Sequence, residues 1–237
     1  MSIRLDRMAL DDVGANPRRL AEAIHGQLGE VAGPVPVHDI AHALDIDDIR
    51  EEGLIHIEAA LITAPERDRG AILVNSRSNM QRRRFSLSHE LGHFLNPWHQ
   101  PTSADGFQCT SSDMTASDQK NADRHRRQEA EANAFAIELL APRRLLKSYL
   151  AGEANLRRIV GMATDLEISR EAAARRYVEL HDDTLAAVFA KDGRFLYAAR
   201  SDGFPSLCLR KDQPLTILGE HRPGRLSDVD AVDPSDW

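Results

Sequence analysis

A chain of 237 residues with 42% hydrophobic content can bury a real core, as one large domain or as one domain plus a small appendage. Its formal net charge of -7 argues against general affinity for nucleic acid, and the basic runs Arg82-Arg83-Arg84 and Arg124-His125-Arg126-Arg127 read as solvated faces. Only two cysteines occur, no apolar run reaches membrane-spanning length and residues 1–12 lack the apolar core of a signal peptide, so a disulfide framework is excluded and the expected location is cytoplasmic, with no membrane partner.

In chain order, Asn16 caps a predicted helix with Pro17 in its first turn, and Leu20, Ile24 and Leu28 recur at helical spacing before Gly29 and Gly33 end it. A second short helix runs through Val37, Ile40, Ala41 and Leu44. Residues 54–62 and 71–75 are strand-like, and the polar piece 65–70 between them makes a hairpin-like connection, giving a small antiparallel sheet. The sheet leads into a helix that starts near Met80 and ends at Asn96-Pro97. Phe85, Leu91, Phe94 and Leu95 supply its apolar surface, and Gly92 permits close approach of a neighbouring element.

That helix carries Ser88-His89-Glu90-Leu91-Gly92-His93, which contains His-Glu-x-x-His. Residues four apart on a helix lie about 40° apart around its axis, so His89 and His93 can offer two imidazoles to one tetrahedral cation. Glu90 sits beside them, positioned to take a proton from a zinc-bound water. Three fixed residues make a short motif in a chain with ten histidines, so the motif needs context.

Residues 101–121 are rich in Ser, Thr, Asp and Gln without a sustained period, a loop long enough to be a lid or binding segment. Order returns in a helix over 127–140, closed by Ala141-Pro142. Counted from Glu129, the residues Ala132, Asn133, Ala136 and Leu140 fall on one face. The small residues let this helix approach closely enough for Glu129 to reach a metal held by His89 and His93, while Asn133 orients an imidazole. Three protein ligands and one open water position suit catalytic zinc.

Another helix is expected over 142–150, then two over 156–180 joined near Glu167-Ile168 with Ser169 as the second N-cap, a pair that resembles a helix-turn-helix. Arg170, Arg175 and Arg176 on its second helix could face DNA phosphates, but Glu171 and Glu179 offset them, and a helical hairpin packed on the rest of the chain explains the same pattern. Residues 185–190 and 194–199 flank Lys191-Asp192-Gly193 as a hairpin, which 206–209 and 215–218 would extend. Cys208 reads as core, and the tail 223–237 as an acidic, loosely held segment.

The block Arg83-Arg84-Phe85-Ser86-Leu87-Ser88-His89-Glu90-Leu91-Gly92-His93-Phe94, with Glu129-Ala130-Glu131-Ala132-Asn133-Ala134-Phe135-Ala136 and Leu139-Leu140-Ala141-Pro142, closely resembles the ImmA/IrrE family of bacterial and phage metallopeptidases. The resemblance extends upstream through Ile72-Leu73-Val74-Asn75-Ser76 and covers roughly residues 35–180. It implies a gluzincin-like fold and one zinc ion, with Glu129 as third ligand because it opens a Glu-x-x-Ala-Asn pattern, and Asn133 as that site's outer partner. It further implies a single cut in a helix-turn-helix transcriptional repressor, which derepresses stress, prophage or mobile-element genes. One departure is Ala141, where many members carry Met.

Rival assignments stay open at this point. His99 gives His89-x-x-x-His93-x-x-x-x-x-His99, the ligand spacing of a metzincin, with Met114 as an imaginable Met-turn; Pro97 argues against it by constraining Asn96. Glu131 is the rival carboxylate, although Phe135 lies one turn beyond it, where a ligand prefers a polar orienter. Cys109, in the long loop, could reach the metal and fill the open position. His99, His125 or a loop arginine could stabilise an oxyanion. The expected architecture is α+β: a zincin-like peptidase domain over 1–150, a helix-turn-helix-like segment over 151–182 and a β-rich part over 183–237. The competing function is a non-catalytic, antitoxin-like regulator that binds protein or DNA, but retention of Glu90 favours an enzyme.

Overall fold

A computed structural model describes residues 3–101, 106–110 and 124–215. It is α+β, with eight helices and a small mixed sheet among these residues, and the chain forms two compact units: residues 1–145 with 164–169, and 146–163 with 170–237. No helix among the described residues is long and apolar enough to cross a membrane.

The first unit opens with α1 (Arg7–Asp11) and α2 (Pro17–Leu28). Asn16 Oδ1 accepts from the Arg19 N–H at 3.0 Å, and Gly29, at φ 71°, ends α2 in a conformation that a side chain would resist. Then follow α3 (Val37–Ala43), β1 (Ile46–Glu52), β2 (Ala59–Thr63), β3 (Gly70–Asn75), α4 (Met80–Leu95), β4 (Phe107–Cys109) and α5 (Arg124–Leu140). Asn79 Oδ1 caps α4 by accepting from Arg82 N at 2.9 Å, and Asn96 leaves the helical region before Pro97.

The sheet corrects the expected antiparallel arrangement. Its order is β1-β3-β2-β4: β2 pairs antiparallel with β3 and β4, but β1 runs parallel to β3. β1 escapes sequence reading because Ile46-Asp47-Asp48-Ile49-Arg50-Glu51-Glu52 is mostly charged and only Ile46 is buried, as an edge strand permits. Residues 54–58, expected in a strand, lie outside β2. Within the expected long loop, β4 adds three residues to the other edge, with Cys109 opposite Ala59. The rest of that loop, 102–105 and 111–121, with Met114, lies outside the described residues.

The sheet holds α4 through β2 and β3, and α5 packs across α4. Leu87, Leu91 and Phe94 of α4 and Phe135, Ala136 and Leu139 of α5 are almost fully buried. Gly92 sets the spacing: a Cβ there would meet Phe135 Cδ1 at 3.0 Å and the Ala132 backbone at 3.3 Å. Gly92→Ala is therefore expected to cost about 1–3 kcal/mol through overpacking and to loosen the junction of α4 and α5, measured by urea unfolding and metal content of one preparation.

His25 ties α2 to the end of α5. Its Nε2 donates to the Leu139 carbonyl at 2.8 Å and its Nδ1 accepts from Arg144 at 2.8 Å. Burial, and then the Arg144 charge, hold its pKa below the ordinary 6.5. In acid the unfolded chain gains a proton that the folded imidazole refuses, so this contribution is complete above pH 6.5 and fades as pH falls through it. The urea midpoint should drop between about pH 7 and 5, less steeply in His25→Gln, whose amide can keep both hydrogen bonds without titrating.

The second unit contains most of α6 (Arg143–Leu150) and of α7 (Leu156–Asp165), with α8 (Arg170–Leu180) and the antiparallel pair β5 (Ala186–Lys191) and β6 (Arg194–Arg200). The turn between the strands has Asp192 at φ 52° and Gly193 at φ 70°, the left-handed pair that a two-residue hairpin needs. Arg175 donates to Glu171 at 3.2 Å and lies 4.8 Å over the Tyr197 ring, while buried Arg176 donates to Glu179 at 2.9 Å. Two of the three arginines expected to face phosphates are thus engaged inside the unit. Residues 206–209 form no strand and 216–218 lie outside the described residues; among the described residues an isolated bridge joins Arg194, at the start of β6, to Pro214. Cys208 is exposed rather than core.

Candidate metal centre

Three groups from two helices meet in the first unit. His89 Nε2 lies 3.1 Å from Glu129 Oε2 and 3.1 Å from His93 Nε2, and His93 Nε2 lies 3.3 Å from Glu129 Oε1. The helical period aligns His89 with His93, and the close crossing at Gly92 brings α5 within reach. Both imidazoles are fully buried and Glu129 is nearly so.

The outer nitrogens reveal the protonation of the inner ones. His89 Nδ1 donates to Asn133 Oδ1 at 2.9 Å, so in the neutral ring its Nε2 carries a lone pair. His93 Nδ1 lies 2.9 Å from His99 Nδ1, and His99 Nε2 lies 3.0 Å from Glu131 Oε2. Asn96 Nδ2 is 2.9 Å from that same His99 nitrogen and 3.2 Å from Glu131 Oε2. Because the Glu131 carboxylate can only accept, the His99 and Asn96 N–H groups both donate to it. His99 Nδ1 is then the acceptor, His93 Nδ1 the donor, and His93 Nε2 also presents a lone pair. Two imidazole lone pairs and a carboxylate thus face one another, an arrangement that a cation relieves.

The titration properties agree with that donor set. Burial pushes the His93 pKa down to about 3, so the ring is neutral at physiological pH. Burial by itself would raise the Glu129 pKa, but its place between His89 and His93, at 3.1 and 3.3 Å, holds the carboxyl well below the usual carboxylate range. One anionic and two neutral donors of N and O type suit a zinc-like cation. A tetrahedral cation with bonds of about 2.0–2.2 Å to N and O has donor–donor edges of about 3.3–3.6 Å, and the three observed separations of 3.1, 3.1 and 3.3 Å lie at or just under the short end of that range. The residues therefore fit a metal.

The remaining predicted residues occupy distinct places. Glu90 is fully buried on α4. His99 is 2% exposed, and its hydrogen bonds engage it behind His93, on the ring nitrogen away from Glu129. Glu131 holds His99 and accepts from Arg127 Nε at 3.1 Å. Cys109 Sγ lies 3.7 Å from His93 Nε2, and His89, His93, Cys109 and Glu129 form the one candidate metal cluster among the described residues. His125, on the exposed first turn of α5, has Nδ1 3.5 Å from Glu129 Oε1. Sequence reading missed Arg67, whose buried guanidinium donates to the carbonyls of His93, Asn96 and His99 and so clamps the end of α4. It arrives from the turn between β2 and β3 at φ 53°, and no local signal announces it. Phe107 of β4 stacks on His93 with ring centroids 4.7 Å apart.

Comparison with known proteins supplies the remaining evidence. The family model described as the IrrE N-terminal-like domain, Peptidase_M78, matches residues 41–177, which include β2, β3, α4 and α5 with all the residues of the cluster. No match to a curated protein was found. With more than half of its length matched, the chain belongs to the ImmA/IrrE family of metallopeptidases.

Proposed function

We propose that the chain is a zinc-dependent endopeptidase in which His89, His93 and Glu129 hold one zinc ion and Glu90 is the proton carrier. The observation that carries this reading is the convergence of His89 Nε2 and His93 Nε2 on the Glu129 carboxylate at 3.1 and 3.3 Å. When bound, the metal supplies Lewis acidity toward the scissile carbonyl and the attacking water. Glu90 accepts the proton of that water as its oxygen attacks the carbonyl carbon, then delivers it to the amide nitrogen as the C–N bond breaks. Asn133 and the His99–Glu131 pair fix the two imidazoles so that their lone pairs stay aimed. Of the groups considered for oxyanion stabilisation, His125 is the one close to Glu129, whereas His99 is engaged behind His93.

The substrate we infer is a helix-turn-helix transcriptional repressor in the cytoplasm, cut once so that stress, prophage or mobile-element genes are released. The support is the family membership together with Glu90, which a purely binding protein does not require. The peptidase part is assigned to residues 1–150, and the helical segment 151–182 to contact with the substrate. The test compares new N-termini by mass spectrometry in host cells expressing wild type or Glu90→Gln, with and without DNA-damaging stress. A single new terminus inside a helix-turn-helix repressor, in wild type alone, is expected. Identical profiles would remove the repressor reading in favour of a binding regulator.

The outer shell has its own expected result. Glu131→Ala or His99→Ala should weaken zinc binding by about 10–100-fold in competition with a chromogenic chelator, since outer partners of ligating imidazoles are typically worth that much. His99→Ala that binds zinc as tightly as wild type would remove the assigned relay.

A further inference from the structure

Cys109 belongs to the same cluster but takes no part in the chemistry above. Its thiol is 1% exposed, and its Sγ, the two imidazole nitrogens and a Glu129 oxygen all lie within 4.8 Å of one another. For a tetrahedral zinc the edge between a nitrogen and a sulfur ligand is about 3.6 Å, and the observed separation from His93 Nε2 is 3.7 Å. Two facts point to a metal without reference to the thiol: the converging lone pairs of His89 and His93, and the metallopeptidase family of the domain. The sulfur comes from a third element, β4, where Cys109 pairs with Ala59 and its carbonyl accepts from Glu58 N at 2.8 Å.

We propose that Cys109 is a fourth ligand of the metal, filling as a thiolate the position that water and the scissile carbonyl must use, so that this conformation is a latent peptidase. The proposal rests on the metallopeptidase reading and names the regulation of that site. Four protein donors close a zinc site, whereas catalysis requires three and an open position. Activation then consists of withdrawing β4. β4 is a three-residue edge strand with β2 as its neighbour in the sheet, so its withdrawal breaks few ladder hydrogen bonds, and the main cost is exposing Phe107, which is buried and stacks on His93. Gly106, just before β4, has φ +108° and a Cβ there would stand 2.3 Å from the Leu61 carbonyl oxygen. Gly106→Ala is accordingly a way to unseat β4 without touching the sulfur.

The experiment replaces the native metal of the full chain with Co(II) in wild type, Cys109→Ala, Gly106→Ala and Cys208→Ala, the last as control for the exposed thiol. Wild type and the control are expected to show one cobalt per chain and an intense sulfur-to-cobalt charge-transfer band in the near ultraviolet. Cys109→Ala should keep the cobalt, lose the band and bind acetohydroxamate, a probe of the open position, at least tenfold more tightly; Gly106→Ala should weaken the band. One cobalt per chain in wild type without that band overturns the proposal and leaves the His89, His93 and Glu129 site standing. Cobalt bound by none of the proteins overturns both readings. The wild-type spectrum decides even if a variant fails to fold.

Discussion

Glu90→Gln is expected to lower peptide-bond cleavage by about 10²–10⁴-fold, the usual worth of a positioned general acid–base group, while zinc content stays at the wild-type level. The amide has almost the shape of the carboxylate and suits the same buried position on α4, so the substitution removes proton transfer and little else. It can neither take the proton from the attacking water nor return one to the leaving nitrogen. Turnover and zinc per chain measured on the same preparation separate this from unfolding. Turnover within threefold of wild type, with zinc retained, would take the proton-carrying role away from Glu90.

The second large effect is expected from Glu129→Ala. This change deletes the only anionic member of the three-residue set and leaves two imidazole nitrogens 3.1 Å apart without the carboxylate between them. Zinc affinity should fall by more than the roughly 10–100-fold attributed to an outer-shell partner, and cleavage should disappear with it. Stability offers an independent readout. A ligand that binds only the folded chain stabilises it by about 2.7 kcal/mol at a hundredfold excess over Kd. Added zinc should therefore raise the melting temperature of wild type by several degrees and leave that of Glu129→Ala nearly unmoved. A zinc-dependent shift of equal size in both proteins would exclude Glu129 from the ligand set.

The parts of the site that could be read in one dimension are those governed by helical periodicity. His89 and His93 share a face because four residues complete slightly more than one turn, and the spacing of Glu129, Asn133 and Ala136 marks a stripe on α5 by the same rule. The Asn16 cap was equally legible, since it acts on an N–H group three residues away. The strands were less so. β1 is charged and β4 has only three residues, and each is a strand because a neighbour supplies the other half of its hydrogen bonds. β1 lacks the alternation on which strand recognition depends, and in β4 the alternation of Phe107, Gln108 and Cys109 is too short to be recognised.

By itself, then, the sequence determined helices α2 to α8 in outline, the Asn16 cap, the His-Glu-x-x-His face and the family to which the chain belongs, whereas the five-residue α1 was not read. Each depends on residues within one or two turns of each other, or on a linear pattern. Tertiary structure alone decided which nitrogen of each histidine faces Glu129, because that choice is made by Asn133, His99 and Glu131 from other segments. It also decided the burial of Arg67 beneath the end of α4 and the arrival of Cys109 beside His93 on a strand that exists only by pairing with β2. Contacts between distant segments depend on how helices and strands pack, and no local period encodes that packing.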